Sequence, residues 1–266
     1  MRKIKFLIIP ILLLVLTIPN VSAVEVLRED DWEGYELVGE TTKYFKTVTV
    51  YNNSVYSMNG YLNASNNATS TTTEITEFEY NLVDPNMNSL VINDSATVET
   101  TYKRMVTSIW TNGAYYRYKN VLSWKNMPAV RSYDITAIGF LGSVTPINYY
   151  FEEYYCETGI GCGYIYTSYP SLFSSGFSVI YPLVTSPYTL STLKSTFYFD
   201  VQKTDPNSTV VYQLLYGDYA HATTPVSVLQ ASYHEVIQAA GIILDSSISS
   251  YYDSIPQAYV NYPCNW

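Results

Sequence analysis

The sequence predicts a mainly β protein, an antiparallel sandwich-like domain with one amphipathic helix at its C-terminal end. Three observations carry that expectation. Aromatic residues form 16% of the chain, with 29 tyrosines, against 14% charged residues, a balance that favours a buried core over disorder. Tyr, Thr and Val suit a pleated, half-buried surface. Runs of alternating residues, punctuated by Asn, Gly and Pro, recur from Lys43 onward, with no repeat of solenoid or propeller period.

The chain starts with Arg2, Lys3 and Lys5, an apolar run from Phe6 to Ile18, and "PNVSA". That order describes a secretory signal, 1–23, with cleavage expected after Ala23. The 13-residue apolar run falls short of the roughly 20 residues of a spanning helix, and Pro10 interrupts it. No later segment predicts a membrane span in the mature chain. Residues 24–40 are acidic and aperiodic and read as a solvated arm. Their spacing fits no calcium loop. A single β-rich domain is expected over 41–266.

Removing the signal leaves 11 Lys and Arg against 23 Asp and Glu, a net charge of −12. Nucleic acid and anionic membrane surfaces are therefore disfavoured as partners, since both need clustered cations.

Within the domain, "YFKTVTVY" alternates from Tyr44, and "NASNNATSTTT" (63–73) reads as a polar loop. The strongest local signal is Asn112–Gly113 between two alternating runs, which predicts a two-residue hairpin turn. Thr111 should then face Ala114, and Trp110 should face Tyr115. One face carries Lys103, Met105, Ile109, Tyr116, Tyr118, Leu122 and Trp124 and should meet the core. The other carries Tyr102, Arg104, Val106, Trp110, Tyr115, Arg117 and Lys119 and should be wetter. Ser232 and Glu235 have capping-box spacing, and Val236, Ile237, Ala240, Ile243, Leu244, Ile248 and Tyr251 recur at helical intervals until Pro256. These predict a helix over 233–252, packed on a sheet.

The chemically densest stretch is "YYFEEYYCETGIGCGYIY", 149–166. Alternation puts Glu152 and Glu153 on opposite faces of a strand, so they form no acid pair together. Either could be half of a glycosidase pair with Asp134, Glu157 or Asp218, but spacing selects none. Cys156 and Cys162 flank "ETGIG", whose glycines permit a tight reversal. They are expected to form a disulfide in an exported chain. Cys264 is left free or joined to a second molecule.

Only His221 and His234 could serve a cysteine nucleophile or zinc, and neither pattern fits, so no metal or cofactor is expected. Each histidine reads as a hydrogen-bonded surface group. There is no G-x-S-x-G and no phosphate-cradling glycine loop. What remains is recognition by exposed aromatic rings, for which Tyr102, Trp110, Tyr115 and Arg117 are the candidates.

The run "YRYKNVLSWKNMPAVRSYDITAI" (116–138) resembles a W-K-x-M-P-x-x-R-S-Y-D-type segment of uncharacterised secreted proteins of Gram-positive bacteria. "GDYAHAT" (217–223) is similar to a second stretch in them. Trp124, Met127, Pro128, Arg131 and Asp134 match. The resemblance implies export and supplies no activity; the spacing of Arg131 and Asp134 is read separately as a buried pair anchoring the entry to a strand.

The leading functional expectation is a secreted, non-catalytic recognition protein for an extracellular glycan or protein. A secreted glycosidase using Glu152 or Glu153 is the alternative. A β-pore-forming toxin is a third reading, prompted by the Ser/Thr-rich alternation over 63–82.

Overall fold

A computed structural model of the chain describes residues 34–52, 55–56, 62–63, 68–87, 90–92, 96–166, 170–173, 176–185, 189–232, 234–237, 241–264 and 266. The expected signal segment and residues 24–33 of the arm lie outside the described residues. In chain order the strands begin with β1 (Glu36–Asn52), β2 (Val55–Tyr56), β3 (Leu62–Asn63), β4 (Ala68–Ile75), β5 (Leu90–Ile92) and β6 (Ala96–Thr111). Next come β7 (Tyr116–Trp124), β8 (Tyr133–Leu141), β9 (Val144–Glu157), β10 (Gly161–Ile165), β11 (Pro170–Phe173) and β12 (Gly176–Pro182). The last are β13 (Leu190–Lys203), β14 (Tyr212–Ala222), β15 (His234–Ile237), β16 (Gly241–Leu244), β17 (Tyr252–Ser254) and β18 (Ala258–Pro263). Two short helices, α1 (Glu77–Leu82) and α2 (Val228–Ala231), interrupt them.

The β6–β7 hairpin sets the architecture, though its turn differs from the expectation. Thr111 pairs with Tyr116 and Trp110 with Arg117, two residues further along than a two-residue turn would give. The Asn112 side chain accepts from the backbone N–H groups of Ala114 and Tyr115, at 3.0 and 2.8 Å, and so holds a longer loop. Gly113 alone takes positive φ there. Because strand side chains alternate with period two, a slip of two leaves every side chain on its expected face.

Large and small sheets stack on that basis. The large sheet runs β10-β9-β13-β7-β6-β1-β4, with β5 also on β6. The second runs β11-β12-β8-β14-β17, with β18 also on β14. All their pairings are antiparallel, as a sheet with one buried face commonly is. Met105, Tyr118, Leu122, Phe197 and Phe199 of the large sheet meet Ile138, Phe140, Tyr181 and Leu215 of the second in one core. Ring centroids of Phe151 and Tyr181 are 4.5 Å apart across it. Each fully buried ring of this kind contributes roughly 1.5–3 kcal/mol through burial alone.

Two boundaries need correction. β1 starts at Glu36, inside the stretch expected to be arm, because β6 is long enough to pair with it through Thr111. The expected helix over 233–252 is absent from the described part of that segment. β15 and β16 form a hairpin there, followed by a single turn at Ser249–Tyr251 and β17. The capping box lies five residues earlier, where Ser227 and Gln230 open α2, and Ser232 closes that helix. Gly241 has φ +72°, a conformation that ends helices. β-Branched Val236 and Ile242 instead pack on Ile135, Ile180 and Ala220, the far face of the second sheet. The expectation that 233–252 covers a sheet holds; its conformation does not.

Candidate functional site

The ionisable groups divide into those sealed in the interior and those on the open face of the large sheet. In the interior, Asp134 accepts from the Tyr219 hydroxyl and the Ala222 N–H (2.9 Å) and pairs with His221 Nδ1 at 3.0 Å. Lys103 Nζ lies 2.5 Å from Asp253 Oδ2, and Tyr51 donates to Glu99 at 2.6 Å. Burial lowers the His221 pKa most, but the Asp134 carboxylate, its hydrogen bond and the Asp253 carboxylate together outweigh it, and the net shift is upward. Burial pushes the Glu153 carboxyl up to about 8, partly offset by the Val184 N–H.

His234 is also buried. Its Nε2 is 2.7 Å from Ser178 Oγ and its Nδ1 is 2.8 Å from the Ala231 carbonyl. Both histidines are thus hydrogen-bonded as expected, but in the core rather than on the surface. The reason is topological: strand β14 carries His221 toward the large sheet, and β15 lays His234 on the second. Ser178 and His234 resemble a nucleophile and its base, yet they are 0% and 6% exposed, which leaves a substrate no route to the hydroxyl.

Glu152 and Glu153 separate as alternation requires. Glu153 points between the sheets, where it accepts from Val184 N–H at 3.2 Å. Glu152 lies on the other face and accepts from the Tyr150 hydroxyl. Both are 1% exposed, and they project from opposite faces of β9. Asp218 sits on the far side of the second sheet, where it holds Ile242 N–H at 2.7 Å. Arg131 donates to the carbonyls of Pro128 and Val184, both at 3.4 Å. Among the described residues, no group of three His, Cys, Asp or Glu side chains could hold a metal ion. No helix among them is long and apolar enough to cross a membrane.

Cys156 and Cys162 are directly opposite on β9 and β10 and are joined by a disulfide. Gly159 and Gly161 take positive φ at the reversal they staple. Cys264 is a free, half-buried thiol that donates to the Val210 carbonyl at 3.2 Å.

On the open face of the large sheet, register places side chains in rows. Tyr164 is opposite Tyr154, Tyr154 opposite Lys194, Lys194 opposite Ser123, and Ser123 opposite Arg104. Tyr164 and Tyr166 are 50% and 53% exposed. Their rings are nearly parallel, 11° apart in plane and 6.3 Å between centroids. Two strands further along that row, starting at Lys194, lies a shallow groove of ≈ 240 Å³, walled by Trp110, Arg104, Lys119, Lys194 and Glu40.

The four aromatic and cationic candidates from the sequence fare unequally. Trp110 lines the groove and donates its indole N–H to Ser108 Oγ at 2.9 Å. Tyr115 is 39% exposed in the hairpin loop, and Tyr102 is half-buried on the same face as Trp110. Arg117 is withdrawn from recognition. It is 1% exposed, bonds to Asp200 at 2.7 Å, and lies between the rings of Tyr35 and Tyr198, 4.2 and 4.5 Å from their centroids. The sequence reading missed Tyr164, Tyr166 and Lys194 as surface groups. Alternation around the predicted cysteine hairpin could have put the tyrosines on one face; nothing local links Lys194 to them.

No protein-family model, curated protein or solved structure matches the chain.

Proposed function

We propose that this is a secreted, non-catalytic recognition protein that binds an extracellular glycan across the open face of its large sheet. The observation that carries the reading is the half-exposed, nearly parallel pair Tyr164 and Tyr166. Flat rings with polar tips can stack on the C–H face of a sugar while their hydroxyls bond to its edges. The disulfide beside them fixes the short β10 strand that presents both rings. Such prior ordering reduces the entropy lost on binding. Asp134, Glu153, His221 and His234 are engaged in hydrogen bonds inside the molecule, away from this face, and Glu152, which is on this face, is 1% exposed and accepts from the Tyr150 hydroxyl. The expected signal segment and the disulfide both suit a compartment outside the cytoplasm.

A glycan and cell-wall array probed with the mature chain tests the reading. Binding to at least one polysaccharide is expected, without turnover, and reduced about tenfold or more by Tyr164→Ala with Tyr166→Ala, as for lost stacking contacts. Hydrolysis of a bound polysaccharide would contradict it, as would binding that ignores both substitutions.

A further inference from the structure

The groove on the same face as the tyrosine pair has the opposite charge to the chain that builds it. The full sequence carries −9, yet the groove is walled by three cations, Arg104, Lys119 and Lys194, and one acid, Glu40. Register fixes how those cations are spread. Lys194 and Arg104 flank Ser123 in one row, two strands apart, or about 10 Å between Cα atoms at ordinary strand spacing. Lys119 lies four residues from Ser123 along β7, about 13 Å away. Between them, paired Val106 and Val121 make an apolar floor.

Cations that converge on one point would suit a small anion. These surround a floor instead, and their row continues through Tyr154 to Tyr164. Lys194 Nζ is 5.6 Å from the Tyr154 ring centroid, so the charged and aromatic parts of the face are contiguous. An extended chain with regularly placed negative groups would meet the rings and the cations in turn.

The geometry points to a polyanionic glycan as the ligand of this face, its sugars on Tyr164 and Tyr166 and its acidic groups at Lys194, Arg104 and Lys119. This rests on the recognition reading above and adds the charge class of the ligand. Carboxylates of a polyuronate and phosphodiesters of a teichoic-acid-type polymer share the needed chemistry. Arg104 can form paired hydrogen bonds with either, whereas each lysine acts as a point charge. A chain this acidic would repel such polymers everywhere except at a cationic groove, which favours one mode of docking.

The test measures binding of the exported protein to polygalacturonate, a glucosylated polyglycerol-phosphate teichoic acid and a neutral β-glucan, with a single-stranded oligonucleotide as a control. Wild type is compared with Arg104→Gln, Lys119→Gln and Lys194→Gln, at about 50 and about 500 mM salt, where screening lengths differ about threefold. At least one polyanion should bind about tenfold more tightly than the neutral polymer, and which one binds identifies the acidic group. High salt and each substitution should weaken that binding about threefold or more, with thermal unfolding unchanged. Equal binding of the neutral polymer, indifferent to salt and to all three substitutions, overturns the charge class and leaves the recognition reading standing. Failure of all three polymers also overturns it; a blank glycan array would remove the recognition reading as well. Preference for a single-stranded oligonucleotide over every polysaccharide would overturn both.

Discussion

Lys103 Nζ stands 2.5 Å from Asp253 Oδ2, and their side chains are 0% and 1% exposed between the sheets. Lys103 also lies 4.8 Å from the ring centroid of Trp124, so the ammonium is enclosed by one carboxylate and an aromatic face. Removing one partner leaves a buried charge unpaired, which typically costs 3–5 kcal/mol. We expect Lys103→Met to lower unfolding free energy by about that amount in urea. Lys103→Met with Asp253→Leu should recover much of the loss. A double variant as unstable as the sum of the singles would contradict the pairing.

The buried acids make stability depend on pH in a direction unusual for carboxylates. Burial raises the folded pKa of Glu153 to about 8 and of Asp218 to about 7. For both, the folded state holds a proton that the unfolded state has released, so stability falls as pH rises from about 4 toward those values. His221, also raised by Asp134, adds a decline that starts above its unfolded value near 6.5. His234 is lowered by burial and opposes this only below about pH 6.5. The steepest decline is therefore expected between about pH 6.5 and 8, up to about 1.4 kcal/mol per pH unit for each titrating group. Glu153→Gln should flatten it. Stability rising across that window would refute these environments.

Cys156 and Cys162 are six residues apart, so their link restrains only a short loop. The loop-closure model gives about 2 kcal/mol for it. Cys156→Ser with Cys162→Ser should lower stability by that order. Mass mapping of the unreduced protein should show the pair joined and Cys264 alkylated. A bridge from Cys264 to either cysteine would contradict the hairpin.

Gly241 has φ +72°, and a Cβ there would come within 1.9 Å of Asp218 Oδ2. Asp218 needs that position to hold Ile242 N–H, which ties the β15–β16 hairpin to the second sheet. Gly241→Ala should cost about 1–3 kcal/mol, from strain and overpacking together. A neutral effect would speak for the helix that periodicity suggests over 233–252.

That segment shows where local reading ends. Val236, Ile237, Ile243 and Ile248 recur at intervals that suit a helix, but a short apolar run serves a buried strand equally well. Gly241 and the contact it makes with Asp218, 23 positions away in the chain, decide the outcome. By contrast, the faces of Ala96–Trp124 are legible, because alternation assigns Met105, Tyr118 and Leu122 to one side whatever the turn. The separation of Glu152 from Glu153 and the Cys156–Cys162 link are legible for the same local reason. Arg117 was read correctly as to face and wrongly as to exposure. Its partners Asp200 and Tyr198 come from β13, whose place beside β7 no local pattern reveals. Lys194 joins the groove through that same pairing.

The central claim is that the open face bearing Tyr164, Tyr166 and Trp110 is the binding surface. Hydroxyl-radical footprinting of tyrosine and tryptophan, with and without a polysaccharide chosen from the array, tests it most directly. Tyr212 and Tyr259 are 43% and 60% exposed on β14 and β18 of the second sheet and serve as internal references. We expect Tyr164, Tyr166 and Trp110 to be protected by the ligand while Tyr212 and Tyr259 oxidise as before. Protection of Tyr259 or Tyr212, with Tyr164 and Tyr166 unchanged, would contradict the account.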